Sequence, residues 1–137
     1  DLQMTGKGYV VVGGTAGMGL AAARALAREG ASVVLVGRDA DRGKNAAEEL
    51  VAAGVGSAHS LAFDVSQPGA AVAAVDEAVR ILGRLDGIAI TMGTAGMMPI
   101  DADDNAWDTT FHDVLLATTR SVQAALPHLA VNGGAIV

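Results

Sequence analysis

Short apolar runs bounded by glycine alternate along this chain with longer stretches in which apolar residues recur at helical spacing. Tyr9 to Val12 is the first such run, as expected of a strand buried on both faces. Met18 to Glu29 (MGLAAARALARE) is rich in strong helix formers, and Gly30 stands where a helix-ending glycine belongs. Val33 to Val36 predicts a second buried strand. Asp39 is placed to cap a helix running through Ala46, Ala47 and Leu50 to a stop at Gly54. Ser60 to Phe63 predicts a third strand ending at Asp64. Ser66 and Pro68 then open a helix carrying Val72, Val75, Val79 and Leu82 at helical spacing, closed by Gly83. Gly87 to Thr91 predicts a fourth strand, followed by a loop of glycine, methionine and Pro99. The longest helix comes next, with Trp107, Phe111, Val114, Leu115, Val122 and Leu126 as its expected inner stripe, and Ala135 to Val137 begins a fifth strand.

Strict alternation of strand and helix demands crossover connections, and so a parallel sheet of right-handed βαβ units. The expected fold is α/β, a Rossmann-type doubly wound parallel sheet of strand order 3-2-1-4-5, ending after strand five. Its ligand crevice should lie beyond the carboxyl ends of strands one and four. With 137 residues and no linker or internal repeat, the pattern fits a single dinucleotide-binding domain over residues 1–137.

Composition narrows the partners. The chain is 51% hydrophobic but only 3% aromatic, the Ala, Val and Leu filling of a helix-covered parallel sheet. A net charge of −6 argues against nucleic acid or an anionic membrane as a partner, and no run reaches the roughly 18 apolar residues of a membrane span. The absence of cysteine excludes disulfides and thiolate chemistry and fits a cytoplasmic setting.

The candidate chemistry begins where the first strand breaks into glycines. Gly13, Gly17 and Gly19 let the backbone turn tightly and approach a pyrophosphate, while the following helix offers unpaired N–H groups and its positive dipole end. The loop does not fit a Walker motif, because Leu20 and Ala21 follow Gly19 in place of Lys and Ser or Thr. The carboxylate that reads a ribose 2′-hydroxyl, about 20 residues beyond the glycines, would fall at Gly37, which has no side chain. That vacancy also argues against a methyltransferase loop.

Arg38 stands beside it, suited to clamp a 2′-phosphate, with Arg42 and Lys44 nearby. NADP(H) is therefore expected in preference to NAD(H). The competing reading pairs Arg38 with Asp39 or Asp41 in solvent. Arg42 and Lys44 themselves are expected to decorate an exposed helix face. Asp64, ending the third strand, can accept from an adenine amino group with Val65 against the ring. A helix-entry role is its alternative.

Taken in order, VGGTAGMG, LVGRD, FDV, LGRLDGIAI, QAALPHL and GGAIV resemble the short-chain dehydrogenase/reductase family over essentially the whole chain. The resemblance implies a nicotinamide-dependent oxidoreductase acting on a small-molecule carbonyl or alcohol, and assembling as a homo-oligomer, a dimer or tetramer. It carries over Gly13, Thr15, Ala16, Gly17, Met18 and Gly19 to the pyrophosphate, Arg38 to the 2′-position, and Asp64 and Val65 to the adenine. Gly93 alone matches the family's Asn-Asn-Ala-Gly, which aligns with Ile90, Thr91, Met92 and Gly93; a slip of three would place Thr94, Ala95 and Gly96 there. Val12 stands for the family's first-strand Thr, and Val114 for the Asn of its long helix.

The family's catalytic Ser, Tyr and Lys would all fall beyond Val137, so no catalytic residue is assigned and the chain as written should turn nothing over. The alternative is a non-catalytic dinucleotide-binding or regulatory protein of the same fold. Ser121, Thr118 and His112 have no carboxylate spaced for a relay and are expected to pack or face solvent. His59 and His128 have no partner at metal-ligand spacing. The acidic loop of Asp101, Asp103, Asp104 and Asp108 is expected to complement a helix N-terminus, with Asp101 as its cap.

Overall fold

The computed structural model describes residues 3–53, 56–93 and 98–137. Five parallel strands form one sheet: β1 (Gly8–Val12), β2 (Ser32–Gly37), β3 (Ala58–Ala62), β4 (Gly87–Ile90) and β5 (Ala135–Ile136). Their order is β3-β2-β1-β4-β5, as the alternation predicts. The β1–β2 register pairs Val10 with Val34 and Val12 with Val36, while β1–β4 pairs Val12 with Ile90.

Successive residues on a strand point to opposite faces, so the valine runs feed two separate cores. Val10, Val12, Val34 and Val36 enter one, with Val75, Leu85 and Ile88. Val11, Val33 and Leu35 enter the other, with Ala23, Ala27, Ala46, Ala47 and Leu50. Burying each valine contributes about 1.5–3 kcal/mol, which is why the central strands read as unbroken apolar runs.

Helices α1 (Gly17–Arg28) and α2 (Ala40–Ala52) cover the second core. Asp39 caps α2 as expected, its Oδ1 accepting from the Arg42 N–H at 2.9 Å. The expected stop at Gly54 lies outside the described residues, as do Thr94, Ala95 and Gly96. Helix α3 (Ala70–Leu82) begins later than Ser66 and Pro68 imply, because those residues form turns that end at the left-handed Gly69. Gly83, also left-handed, closes it as predicted.

The last helical stretch comprises α4 (Asp104–Thr110), a π-helical segment (Phe111–Leu116) and α5 (Ala117–Asn132). Asp103 caps it rather than Asp101, with its carboxylate accepting from the Ala106 N–H at 2.9 Å.

Its expected inner stripe is also corrected. Trp107 is 50% exposed, and Phe111, Leu115 and Leu126 are comparably open, whereas Ala117, Ser121, Ala125 and Leu129 are the buried residues of α5. Within α5, size explains the difference: this helix packs against α3, whose buried face is Ala71, Ala74, Val75 and Ala78, and small residues let the two helices approach closely. Val72 of α3 is also half-exposed.

Candidate cofactor site

A cleft of about 630 Å³ opens beyond the carboxyl ends of β1, β2 and β4, where the winding of the sheet reverses. Its floor is the loop after β1. There the Gly13 N–H donates to the Val36 carbonyl at 2.8 Å, and the Gly14 N–H to the Val11 carbonyl at 3.2 Å. Gly13 takes φ +79°, and a Cβ on it would sit 2.8 Å from the Met92 backbone nitrogen, so no other residue fits without moving the segment that follows β4. Helix α1 then starts at an end with no side-chain cap and no acidic residue in its first turn. Its leading N–H groups therefore face outward with the positive end of the helix dipole, suited to an anion.

Gly13, Thr15, Ala16, Arg38, Asp64, Val65 and Gly93, all expected at the cofactor, line this cleft together. Gly17, Met18 and Gly19 do not. Met18, the second residue of α1, is 81% exposed. Gly19 is buried behind the loop, where a Cβ would strike the Gly13 carbonyl and the Thr91 hydroxyl. Its bare backbone serves the close approach of α1 to β1 and β4.

The wall after β2 is basic. Arg38 lines the cleft and forms no ion pair among the described residues. Arg42 borders it as well from the exposed face of α2, its side chain 61% exposed as expected there, while holding Asp39 loosely at 3.7 Å. Lys44 instead lies beside Glu48 at 3.9 Å on the outside of α2.

The wall after β3 is built by Asp64. Its Oδ1 accepts from the Ser66 N–H at 3.1 Å and the Ser66 hydroxyl at 2.7 Å. These bonds, the hydroxyl's above all, with help from Gln67 and the Arg38 charge, hold the carboxyl below its ordinary pKa. Asp64 therefore shapes the turn before α3 and also faces the cleft. Below it, the Arg120 guanidinium donates to the Ser66 carbonyl at 2.9 Å and fastens that turn to α5. Sequence reasoning missed this contact, since nothing local marks a partner 54 residues away. Asp113 and Met92 also line the cleft unanticipated.

The other polar candidates stay apart from it. Ser121 is fully buried and returns its hydroxyl to the Ala117 carbonyl at 2.8 Å. His112 lies edge-on to Phe111, and His128 Nε2 is 3.3 Å from an Asp76 carboxylate oxygen. Tyr9 donates to the Met4 sulfur at 2.9 Å.

The pattern of the short chain dehydrogenase family matches residues 7–137. Among curated proteins, the chain is 32% identical to the uncharacterized oxidoreductase YvrD of Bacillus subtilis, covering 100% of this chain and 52% of that protein. It is 35% identical to the short-chain dehydrogenase/reductase ABA4 of Pyricularia oryzae, covering 99% and 52%. Among solved structures, L-sorbose reductase from Gluconobacter frateurii, complexed with NADPH and L-sorbose, superposes with a TM-score of 0.90 at 33% identity, covering 99% of this chain and 52% of that one. The chain thus spans about half the length of the relatives it matches. A matching sequence pattern, a shared sheet order and a glycine loop opening on the crevice at the sheet's reversal agree, and the chain belongs to the short chain dehydrogenase family.

Proposed function

We propose that the cleft takes NADP(H), and that the protein carrying this chain moves a hydride between that dinucleotide and a small carbonyl or alcohol substrate. One observation carries the nucleotide choice: Arg38 and Arg42 line the end of β2 beside Gly37, where a ribose-reading carboxylate would otherwise root. The residues fit such a ligand. The glycine loop and the uncapped start of α1 suit a pyrophosphate, Arg38 suits a 2′-phosphate, and Asp64 with Val65 suits an adenine. The solved relative bound to NADPH supports the same choice. Bound nicotinamide supplies the hydride; this chain's residues hold and orient the dinucleotide. None of them is assigned the proton transfer, since Tyr9 is engaged with Met4 and Lys44 lies outside α2.

Assembly with a second copy through the exposed Trp107, Phe111 and Leu115, and a cytoplasmic setting, belong to the same proposal. The nucleotide choice is tested by Arg38→Ala in the intact protein. Loss of a charge-assisted contact worth about 1.5–3 kcal/mol should weaken NADPH binding roughly ten- to a hundredfold and leave NADH nearly unchanged. Equal losses for both dinucleotides would refute it.

A further inference from the structure

We propose that Thr15 and Gly37 form a steric pair that sets which dinucleotide the cleft admits, by denying position 37 any side chain. The inference rests on reading the cleft as a dinucleotide site. Gly37 is the last residue of β2 and is absent from the positive-φ glycines, so its backbone does not itself call for glycine. What forbids a side chain is Thr15, reaching across from the glycine loop. A Cβ on Gly37 would lie 2.7 Å from Thr15 Cγ2, 2.9 Å from its Oγ1 and 3.4 Å from its Cβ.

Both γ atoms of Thr15 face Gly37. Turning χ1 to another staggered well moves one away but always leaves a heavy atom in one of those two places, because threonine fills two of its three γ positions. Serine, with a single γ atom, can turn clear. Thr15 therefore fills the place at which a carboxylate reading the ribose 2′-hydroxyl would be rooted, and leaves the end of β2 to Arg38. A carboxylate at position 37 thereby needs a change at Thr15 as well, and replacing Gly37 alone cannot install one that reads the ribose.

The test is a double-mutant cycle in the intact protein, with Gly37→Asp, Thr15→Ser and their combination, read by urea unfolding without ligand and by calorimetric titration with NADH and NADPH. Gly37→Asp alone should lower the urea midpoint and weaken both dinucleotides at least tenfold. Adding Thr15→Ser should recover most of the lost midpoint and tighten NADH at least tenfold over Gly37→Asp alone. Gly37→Ala, which adds only the Cβ, repeats the unfolding cycle should Gly37→Asp fail to fold. Midpoint losses that are the same with and without Thr15→Ser overturn the pair, as does Gly37→Asp gaining NADH unaided. A wild-type protein that binds neither dinucleotide overturns the cofactor reading and the recognition half of this inference, and is told apart because the unfolding cycle uses no ligand.

Discussion

The Thr91 hydroxyl donates to the Val12 carbonyl at 2.9 Å, joining the ends of β4 and β1 at the point where they part to open the cleft. The same carbonyl also accepts from the Thr91 N–H at 2.9 Å. Thr91→Val, similar in shape, therefore removes one bond without leaving a buried acceptor unpaired. Its cost should fall at the low end for a hydrogen bond, about 0.5–1 kcal/mol, read as a small shift in the urea midpoint with an unchanged slope.

Gly19 presents the opposite case, a site with no slack. A methyl group there meets the Gly13 carbonyl and the Thr91 hydroxyl, both held by the meeting of β1 and β4. Gly19→Ala should cost about 1–3 kcal/mol, the range for overpacking, and thermal unfolding with and without dinucleotide should show the loss in both states.

At the opposite end of the sheet, Asp86 accepts from the Gly8 N–H at 2.8 Å and from Arg84 Nε at 2.7 Å, with its side chain only 8% exposed. Arg84 and the Gly8 N–H hold its carboxyl below the ordinary pKa. A group lowered in the folded state stabilises fully above its unfolded value, near 4, and loses that contribution as pH falls through the lower folded value. Asp86→Asn should therefore be less stable than the native chain at neutral pH, and the gap should close on acidification below about pH 4. Urea titrations across this range measure it.

Arg120 stands apart from the cleft yet holds one of its walls through the Ser66 carbonyl. Arg120→Met keeps the length and removes the donor. Hydrogen exchange at Ser66 and Gln67 should quicken while the β1 and β2 amides stay protected, and adenine-nucleotide affinity should fall about fivefold, the equivalent of about 1 kcal/mol.

Trp107 and Phe111 are half-exposed on α4 and its π-helical continuation. Replacing both with Gln should shift folding stability by no more than about 0.5 kcal/mol per site, as for surface positions. Sedimentation should show weaker self-association if this face meets a second copy.

The strand order and the glycine loop were legible in the chain because both rest on local signals: valine runs between glycines, and helix ends marked by Asp39 and Gly83. The clefted wall at Arg38 was legible for the same reason, since it stands one residue past a strand end. The inner face of the last helix was not. Hydrophobic pattern favours Trp107, Phe111 and Leu126, but closeness between α3 and α5 is won by alanine and serine, and how near two helices lie is not written in either one alone. Arg120 and the Thr15–Gly37 contact were hidden similarly, each depending on a partner brought near only by the fold.

The alternation along β1 sends Val10 and Val12 into one core and Val11 into the other, and the glycine loop hangs from that strand's end. A nucleotide seated there is moored to both layers of the molecule at once. Loosening either hydrophobic layer, however far from the crevice, should therefore register as weakened nucleotide retention, so binding can serve as a gauge of folding on both sides of the sheet.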